Sequence, residues 1–172
     1  MSLYSEVEVL RRLPLFAKID LPMLKLLCFS SERLTFEAGQ VVFNVGDSAD
    51  AAYILIDGYV AISRPSPTGP VVVGTLGPME IVGEIAVFSD LARTATITAT
   101  TRVDALRIAK EQMMSIVRAN PEAALELIRQ LAMRLAKTTA QLTEIMATSA
   151  ADAKLAADAA AGAASQAPGA TR

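Results

Sequence analysis

The sequence predicts an α+β fold, in which a β-barrel or jelly roll lies between N-terminal helices and a long C-terminal helix. Near the N-terminus apolar residues recur at helical spacing, and Pro14 separates two short helical segments. Over 33–108 apolar residues form many short runs with closely spaced turns, which is typical of a barrel or jelly roll. From Pro121 a helical pattern continues to at least Met146 without glycine or proline.

Glycines mark the turns between the predicted strands. Gly39 and Gly46 each follow a short apolar run. The pair Asp57 and Gly58 separates the runs 52–56 and 59–62 and is a strong hairpin signal. This regular alternation of short strands and turns predicts a sheet structure closed on itself.

The composition argues against several classes of site. The chain of 172 residues has no histidine and a single cysteine, Cys28, so zinc, haem and iron–sulfur sites are not expected and no disulfide framework is possible. Cys28 lies in an apolar helical run, and we expect a buried structural thiol. The net charge of −2 provides no basic field for nucleic acid, and no apolar run is long enough to span a bilayer. We therefore expect a cytoplasmic protein that binds no metal, no membrane and no nucleic acid directly.

The segment 81–100 contains the candidate site. Gly83 opens a single turn of helix whose first amides are free to donate. Arg93 follows, and by the parity of the alternating strand after it we expect Arg93 on the apolar face. A guanidinium on a buried face is costly unless an anion meets it. Arginine beside free helical amides predicts an anion site, for which phosphate is the usual ligand.

Glu84 refines this prediction. A carboxylate facing the anion would repel it, so we expect Glu84 to accept hydrogen bonds from hydroxyl groups beside it. A sugar phosphate fits both requirements. The alternative is that Arg93 makes a structural ion pair with Asp90 or Glu84.

The joined pattern resembles a known family. The letters GEIA at 83–86, a spacer, and RTAT at 93–96 are similar to the phosphate-binding cassette of cyclic-nucleotide-binding domains, whose members include catabolite activator protein-like and protein kinase A regulatory subunit-like proteins. The turn glycines also lie where the family has them, so the resemblance covers roughly 13–145. It implies an eight-stranded β-barrel or jelly roll with N-terminal helices and a long C-terminal helix.

The resemblance implies roles for the cassette residues. Arg93 is expected to pair with the cyclic phosphate, and Glu84 to accept from the ribose 2′-hydroxyl. The cassette opens at Gly83, and the amides around Ile85 and Ala86 are expected to hold a phosphate oxygen.

Three further residues complete the ligand site that the resemblance implies. Thr94 is expected to donate to the phosphate or to the base. Ile62 and Val73 are candidates for apolar contacts with the ribose or the base. A threonine after the arginine often accompanies cGMP in this family, although some cAMP-binding members have it too.

The long helix carries a heptad seam. Apolar and small residues alternate at spacings of four and three: Ala124, Ile128, Leu131, Leu135, Thr138, Leu142 and Ile145. Such a seam on a terminal helix favours a homodimer through the helix 121–146. The alternative is that the seam packs on the barrel of its own chain.

Thr138 places a hydroxyl in this seam, and Thr139 adjoins it. One interpretation is a hydrogen bond from Thr138 to a carbonyl one turn back along the helix. The other is contact with a ligand, because the segment resembles the dimer helix of catabolite activator protein-like members, where a Thr-Ser pair reads the adenine. Thr138 and Thr139 occupy that place, which favours cAMP as the ligand and leaves cGMP open.

The expected organisation is a cyclic-nucleotide-binding domain over 1–148, followed by an Ala-rich, partly disordered tail over 149–172. Within the domain we expect N-terminal helices at 1–31, the barrel at 32–109 with the cassette at 81–96 inside it, and C-terminal helices at 110–148. The expected function is a receptor module, without enzymatic activity, that moves its C-terminal helix on binding a nucleotide and reports to a downstream protein.

Three alternatives accompany this prediction. The chain could instead be a regulatory fragment of a larger protein such as a channel or a transcription factor. A DNA-binding member of the family would carry a helix-turn-helix after the dimer helix, and the Ala-rich sequence there shows neither a second amphipathic helix nor a basic one. An enzyme on a cupin-like barrel would depend on histidine-bound metal.

Overall fold

A computed structural model describes the backbone of residues 3–165 and the side chains of residues 6–151, 154 and 155. Within these residues eight strands form two antiparallel sheets, and helices precede and follow them, which confirms the predicted α+β fold. The strands are β1 (Glu32–Phe36), β2 (Val41–Phe43), β3 (Ala51–Asp57), β4 (Val60–Arg64), β5 (Val71–Leu76), β6 (Ile81–Val82), β7 (Thr96–Ala99) and β8 (Val103–Ala109). The helices are α1 (Leu3–Arg12), α2 (Leu21–Ser30), α3 (Glu84–Ser89), α4 (Lys110–Ala119) and α5 (Pro121–Ser165), with a 3₁₀ turn at Pro14–Phe16.

The two sheets enclose the core. Their strand orders are β1-β8-β3-β6 and β2-β7-β4-β5, so β8 lies between the strand that opens the barrel and the long strand β3. Both inner faces contribute to one cluster of buried side chains: Tyr53, Leu55, Val60, Val82, Ile97, Ala99, Val103 and Ala105. This core holds β3, β6 and β7 in place, and the candidate site is built from residues beside these strands.

The strand after the cassette is shorter than its alternating sequence indicates. Ile97 and Ala99 are buried on one face, as the alternation predicts, but β7 begins only at Thr96. Arg93 precedes the strand and is nevertheless buried. Its backbone pairs with a turn instead: the Arg93 amide donates to the Asp47 carbonyl at 2.9 Å, and the Arg93 carbonyl accepts from the Gly46 amide at 2.8 Å.

The N-terminal helices agree with the sequence pattern. Pro14 ends the first helical segment and opens the 3₁₀ turn, whose Leu15 and Phe16 are buried. Cys28 is a buried free thiol on α2, as expected from its apolar surroundings.

The chain divides into two compact units, Met1–Leu127 and Ile128–Arg172. The first contains the barrel and the cassette, and the second contains most of α5. Helix α5 extends through the start of the Ala-rich tail to Ser165. The disorder expected for the end of the tail, at residues 166–172, lies outside the described residues.

Candidate functional site

Gly83 connects β6 to α3 and brings the chain against Arg93. Its φ of +82° lies in the left-handed region, which a residue with a side chain rarely adopts. A Cβ atom placed on Gly83 would lie only 2.4 Å from Nη1 of Arg93. The glycine therefore meets two requirements at once, the sharp entry into α3 and the close approach of the guanidinium.

Arg93 is the buried cation of the site. The whole residue is 3% exposed. Its Nη1 donates to the Gly83 carbonyl at 3.0 Å, and its Nη2 donates to the Ala51 carbonyl at 2.7 Å. Its Nε is the only buried side-chain nitrogen or oxygen without a hydrogen-bond partner among the side chains that the structure describes. Such a donor costs free energy when it is left unpaired.

The charge of Arg93 is only weakly compensated by protein acids. Asp50 is the nearest carboxylate recorded for it, with Oδ1 3.6 Å from Nη2, and the other oxygen of Asp50 accepts from Arg107 at 2.6 Å. Burial lowers the pKa of the Arg93 guanidinium, while Tyr53, Asp50 and Asp47 act in the opposite direction. Arginine nevertheless stays protonated in proteins, so the site presents a fixed positive charge.

The ion pair recorded for Arg93 is with Asp50. Asp90 is bonded to Lys110 rather than to Arg93. The carboxylate beside Arg93 is Asp50, which the sequence pattern did not identify. Asp50 lies far from the cassette in sequence, and it is brought close by the pairing of β3 with β6 and by the bonds between the 46–47 turn and the backbone of Arg93.

Two aromatic rings form the floor beneath the guanidinium. Cζ of Arg93 lies 4.1 Å from the centroid of the Phe43 ring and 5.9 Å from that of Tyr53. The two rings are 5.8 Å apart. Cation–π contact of this kind holds a guanidinium in one plane. Sequence reasoning missed both residues, since an aromatic residue in a strand usually indicates only a core position.

Helix α3 supplies the other wall of the cassette. Glu84 is its first residue and is 5% exposed, Ile85 is exposed, and Ala86 is buried. The first intrahelical bond recorded for this turn runs from the Val87 amide to the Gly83 carbonyl. The amides before Val87 belong to the first turn, where backbone donors have no partner within the helix.

Of the remaining candidates, Thr94 lies between Arg93 and β7, and Ile62 and Val73 lie on neighbouring strands of one sheet. Thr94 follows Arg93 and is exposed. Ile62 on β4 is half-buried and pairs in register with Ile97 of β7. Val73 is 56% exposed and lies at an irregularity in the pairing of β4 with β5, between the partners of Ile62 and Ser63. The structure therefore brings Gly83, Glu84 and Arg93 together. The ligand contacts expected of the other three candidates stay predictions.

Thr138 and Thr139 belong to the second unit, and both are exposed. The Thr138 hydroxyl donates to the Arg134 carbonyl at 2.9 Å, which is the intrahelical bond considered from sequence. The Thr139 carbonyl accepts from the Thr143 hydroxyl at 3.0 Å. Both bonds lie within the helix. Contact of Thr138 and Thr139 with a nucleotide stays a prediction.

Metal-binding clusters and membrane-spanning helices are both absent from the described residues. In the part of the chain with assigned side chains, no group of three or more histidine, cysteine, aspartate or glutamate residues is arranged to hold a metal ion. None of the helices described there combines the length and apolar character needed to cross a bilayer.

The comparison with protein families matches residues 33–120 to the family described as "Cyclic nucleotide-binding domain". The matched range begins in β1 and ends just before α5, so it contains the whole barrel, the cassette and α4. Gly83, Glu84 and Arg93 all lie inside it.

Individual relatives agree with this match. A CRP-like cAMP-activated global transcriptional regulator of Mycobacterium tuberculosis is 31% identical over 142 residues, which are 82% of this chain and 63% of the regulator. The chain thus spans less than two thirds of that relative. The N-terminal domain of a transcriptional regulator from Streptomyces coelicolor is 37% identical with a TM-score of 0.60, over 76% of this chain and 94% of that one. The catabolite activator protein of Thermus thermophilus is 26% identical with a TM-score of 0.67, over 77% and 62% of the two chains.

Proposed function

Because this chain belongs to the cyclic nucleotide-binding domain family, we propose that it is a receptor for a cyclic nucleotide, with cAMP favoured and cGMP the second candidate. The observation that carries the proposal is the state of Arg93. Its guanidinium is buried, its Nε has no partner among the described side chains, and its nearest recorded carboxylate is 3.6 Å away. A cyclic phosphate supplies the anion and the acceptor that this geometry requires.

The other cassette residues are assigned by their positions around Arg93. The amides of Ile85 and Ala86 hold a phosphate oxygen at the start of α3, because the first turn of a helix has donors to spare. Glu84 accepts from the ribose 2′-hydroxyl, as its carboxylate is an acceptor when ionised. Thr94 donates to the phosphate or the base, and Ile62 and Val73 contact the ribose or the base.

The preference for cAMP rests on the helix and on a relative. Thr138 and Thr139 occupy the place where members of the family read adenine. The mycobacterial relative, at 31% identity, is described as cAMP-activated. Thr94 points the other way, because a threonine after the arginine often accompanies cGMP in this family. Both nucleotides therefore have to be titrated.

Binding is coupled to the C-terminal helix in this proposal. A contact that the nucleotide makes in only one arrangement of α5 favours that arrangement, and this difference in affinity is the switch. The helix then reports to a downstream protein. The receptor binds its ligand and does not convert it, because each assigned group neutralises charge or makes a hydrogen bond.

We further propose that α5 forms a homodimer. In the second unit the seam residues Ile128, Leu135, Leu142 and Ile145 are all exposed in the single chain. Apolar side chains repeating at this spacing are buried when two such helices pair. Dimerisation would bury these seam residues, which are exposed in the single chain.

The alternative function is that of a regulatory fragment of a larger protein such as a transcription factor or a channel. The match to the mycobacterial regulator supports it, because only 63% of that protein corresponds to this chain. The two functions share the nucleotide site and differ in the partner or domain to which the helix reports.

Calorimetric titration with cAMP and cGMP tests the proposal. The wild-type chain should bind at least one nucleotide, and the ratio of the two affinities decides the preference. Arg93→Lys keeps a charge but loses the planar fork, and we expect affinity to fall by about tenfold or more, since a hydrogen bond to a charged group contributes about 1.5–3 kcal/mol. Arg118→Ala removes an exposed arginine on α4 and serves as the control. Unchanged affinity in Arg93→Lys, with the thermal unfolding of the two variants alike, contradicts the phosphate role.

A further inference from the structure

Lys110, the first residue of α4, contacts two segments near Arg93: the residue before β3 and the cassette. Its backbone amide donates to the Asp50 carbonyl at 2.8 Å. The next carbonyl along the chain, that of Ala51 at the start of β3, accepts from Nη2 of Arg93 at 2.7 Å. The side chain of Lys110 reaches the cassette, where Nζ donates to the carboxylate of Asp90. Consequently α4 begins at a residue that is bonded beside Arg93 and also to the end of α3.

Asp90 combines a helix-ending backbone conformation with the bond to Lys110. It is the residue that ends α3, and its φ of 55° places a non-glycine residue in the left-handed region. Its carboxylate is bonded to Lys110, and the side chains of Asp90 and Lys110 are 79% and 28% exposed. The hydrogen bond from Lys110, followed by its charge, holds the pKa of Asp90 below the usual value. The carboxylate of Asp90 is ionised at neutral pH and lies beside the ammonium group of Lys110.

We propose that the Asp90–Lys110 pair is a positioning contact through which the cassette and α4 respond together to a bound nucleotide. The inference rests on the proposed function and names the contact that carries its signal. Helix α3 has only six residues, so its first turn, which faces the phosphate, and Asp90, which follows its last residue, belong to one short segment. When the phosphate fixes the first turn, Asp90 is fixed with it, and Lys110 is held at the start of α4.

The ion pair, rather than the packing of the hydrocarbon chain, is the part of this contact that a swap of charges can restore. Lys110→Met removes the ammonium and keeps a long apolar chain, and Lys110→Arg keeps the charge. Asp90→Asn removes the charge and tolerates the left-handed backbone. The double variant Asp90→Lys with Lys110→Asp exchanges the two charges.

Hydrogen exchange of the full chain, with and without saturating cAMP, is the test. In the wild type, cAMP should slow exchange in the cassette peptide 83–90 and in the first turn of α4. In Lys110→Met and in Asp90→Asn the cassette should still be protected, whereas protection of α4 should fall by at least half. Lys110→Arg and the charge-exchanged variant should recover it. Calorimetry should show affinities about two- to fivefold weaker in the single variants, as befits a pair near the surface, and no additive loss when both are combined.

The possible failures can be told apart. If the wild type binds neither cAMP nor cGMP, the proposed function is wrong and this inference falls with it. If the wild type binds, and α4 of Lys110→Met is protected as fully as that of the wild type, only the positioning role is overturned. Loss of α4 protection in Lys110→Met that neither Lys110→Arg nor the charge exchange restores also overturns it, since the ion pair would then not be the cause.

Discussion

The guanidinium of Arg93 lies over the ring of Phe43, with Cζ 4.1 Å from the ring centroid. The same ring closes the space above Gly83, where an added Cβ would lie 3.2 Å from Cε1 of Phe43. Phe43 therefore limits where the guanidinium can move on the side of this ring. A residue of β2 and a glycine of the cassette thus both restrict the position of this cation.

Gly83→Ala should abolish most nucleotide binding. The new methyl group meets Nη1 of Arg93 at 2.4 Å, so the guanidinium must leave its position. The left-handed φ adds a backbone cost of about 1 kcal/mol. Gly39→Ala is the matched control, because its φ is +88° and nothing lies within 4 Å of the added Cβ. We expect urea unfolding to show a comparable backbone cost in both variants, and calorimetry to show lost affinity in Gly83→Ala alone. Equal affinities in the two variants would contradict the close approach.

Phe43→Leu should weaken nucleotide binding by about threefold or more. The substitution keeps an apolar side chain and removes the cation–π contact, which contributes about 0.5–2 kcal/mol according to exposure. Phe36→Leu is the control, since Phe36 also packs on Tyr53, at 6.4 Å between ring centroids, and has no recorded ring contact with Arg93. Titration of both variants separates loss of the aromatic floor from a general loss of packing. The same weakening in Phe36→Leu would show that the floor is not specific.

Leu135→Glu should convert the dimer into a monomer. Leu135 lies on the seam and is 69% exposed in the single chain, so a charge there would be buried at the helix pair. Met133→Glu provides the control, because Met133 is 73% exposed but lies off the seam. Sedimentation velocity should give a dimer for the wild type and Met133→Glu, and half that mass for Leu135→Glu. A monomeric wild type, or a Leu135→Glu variant of unchanged mass, would refute the pairing.

Cys28 should be inert to alkylation in the folded protein. Burial is the main cause that raises the pKa of its thiol from 9.0 to about 11, and the charge of Glu6 adds to the effect. The folded state therefore holds this proton to higher pH than the unfolded state, and stability should decline as pH rises from about 9 towards 11. Iodoacetamide at a pH of about 8 should react with Cys28 only as fast as the chain unfolds, and rapidly in urea. Fast reaction of the native protein would contradict the burial of the thiol.

Local patterns were sufficient to predict the fold, including the turns at Gly39 and Gly46. Arg93 is buried as predicted, but it precedes β7, so the parity argument that led to this prediction does not apply. The extent of β7 did not follow, because alternation of residue types does not show where pairing with the neighbouring strand stops. The backbone of Arg93 pairs with a turn, and its side chain is enclosed by contacts with Gly83, Ala51 and Phe43.

The surroundings of Arg93 could not be predicted from the sequence. Phe43, Asp50 and Tyr53 come from β2, β3 and the loop between them. They meet the cassette because β2 pairs with β7 and β3 pairs with β6, and because the turn at 46–47 bonds to the backbone of Arg93. Each has an ordinary local explanation, as an apolar strand residue or a polar loop residue. Contacts between distant segments are fixed by sheet register, and no spacing within one segment reports it.

The antiparallel pairing of β1 with β8 has a consequence for synthesis of the chain in the cell. Glu32 opposes Arg107, and Phe36 opposes Val103, so the first strand of the barrel forms its ladder with the last. Strand β8 also supplies the neighbour of β3. Such non-local pairing makes folding slow, and here the first sheet cannot assemble until β8 has emerged from the ribosome. Chains that stall before β8 has emerged should be sensitive to protease and dependent on chaperones, whereas those that stall after it has emerged expose all eight strands of the described residues.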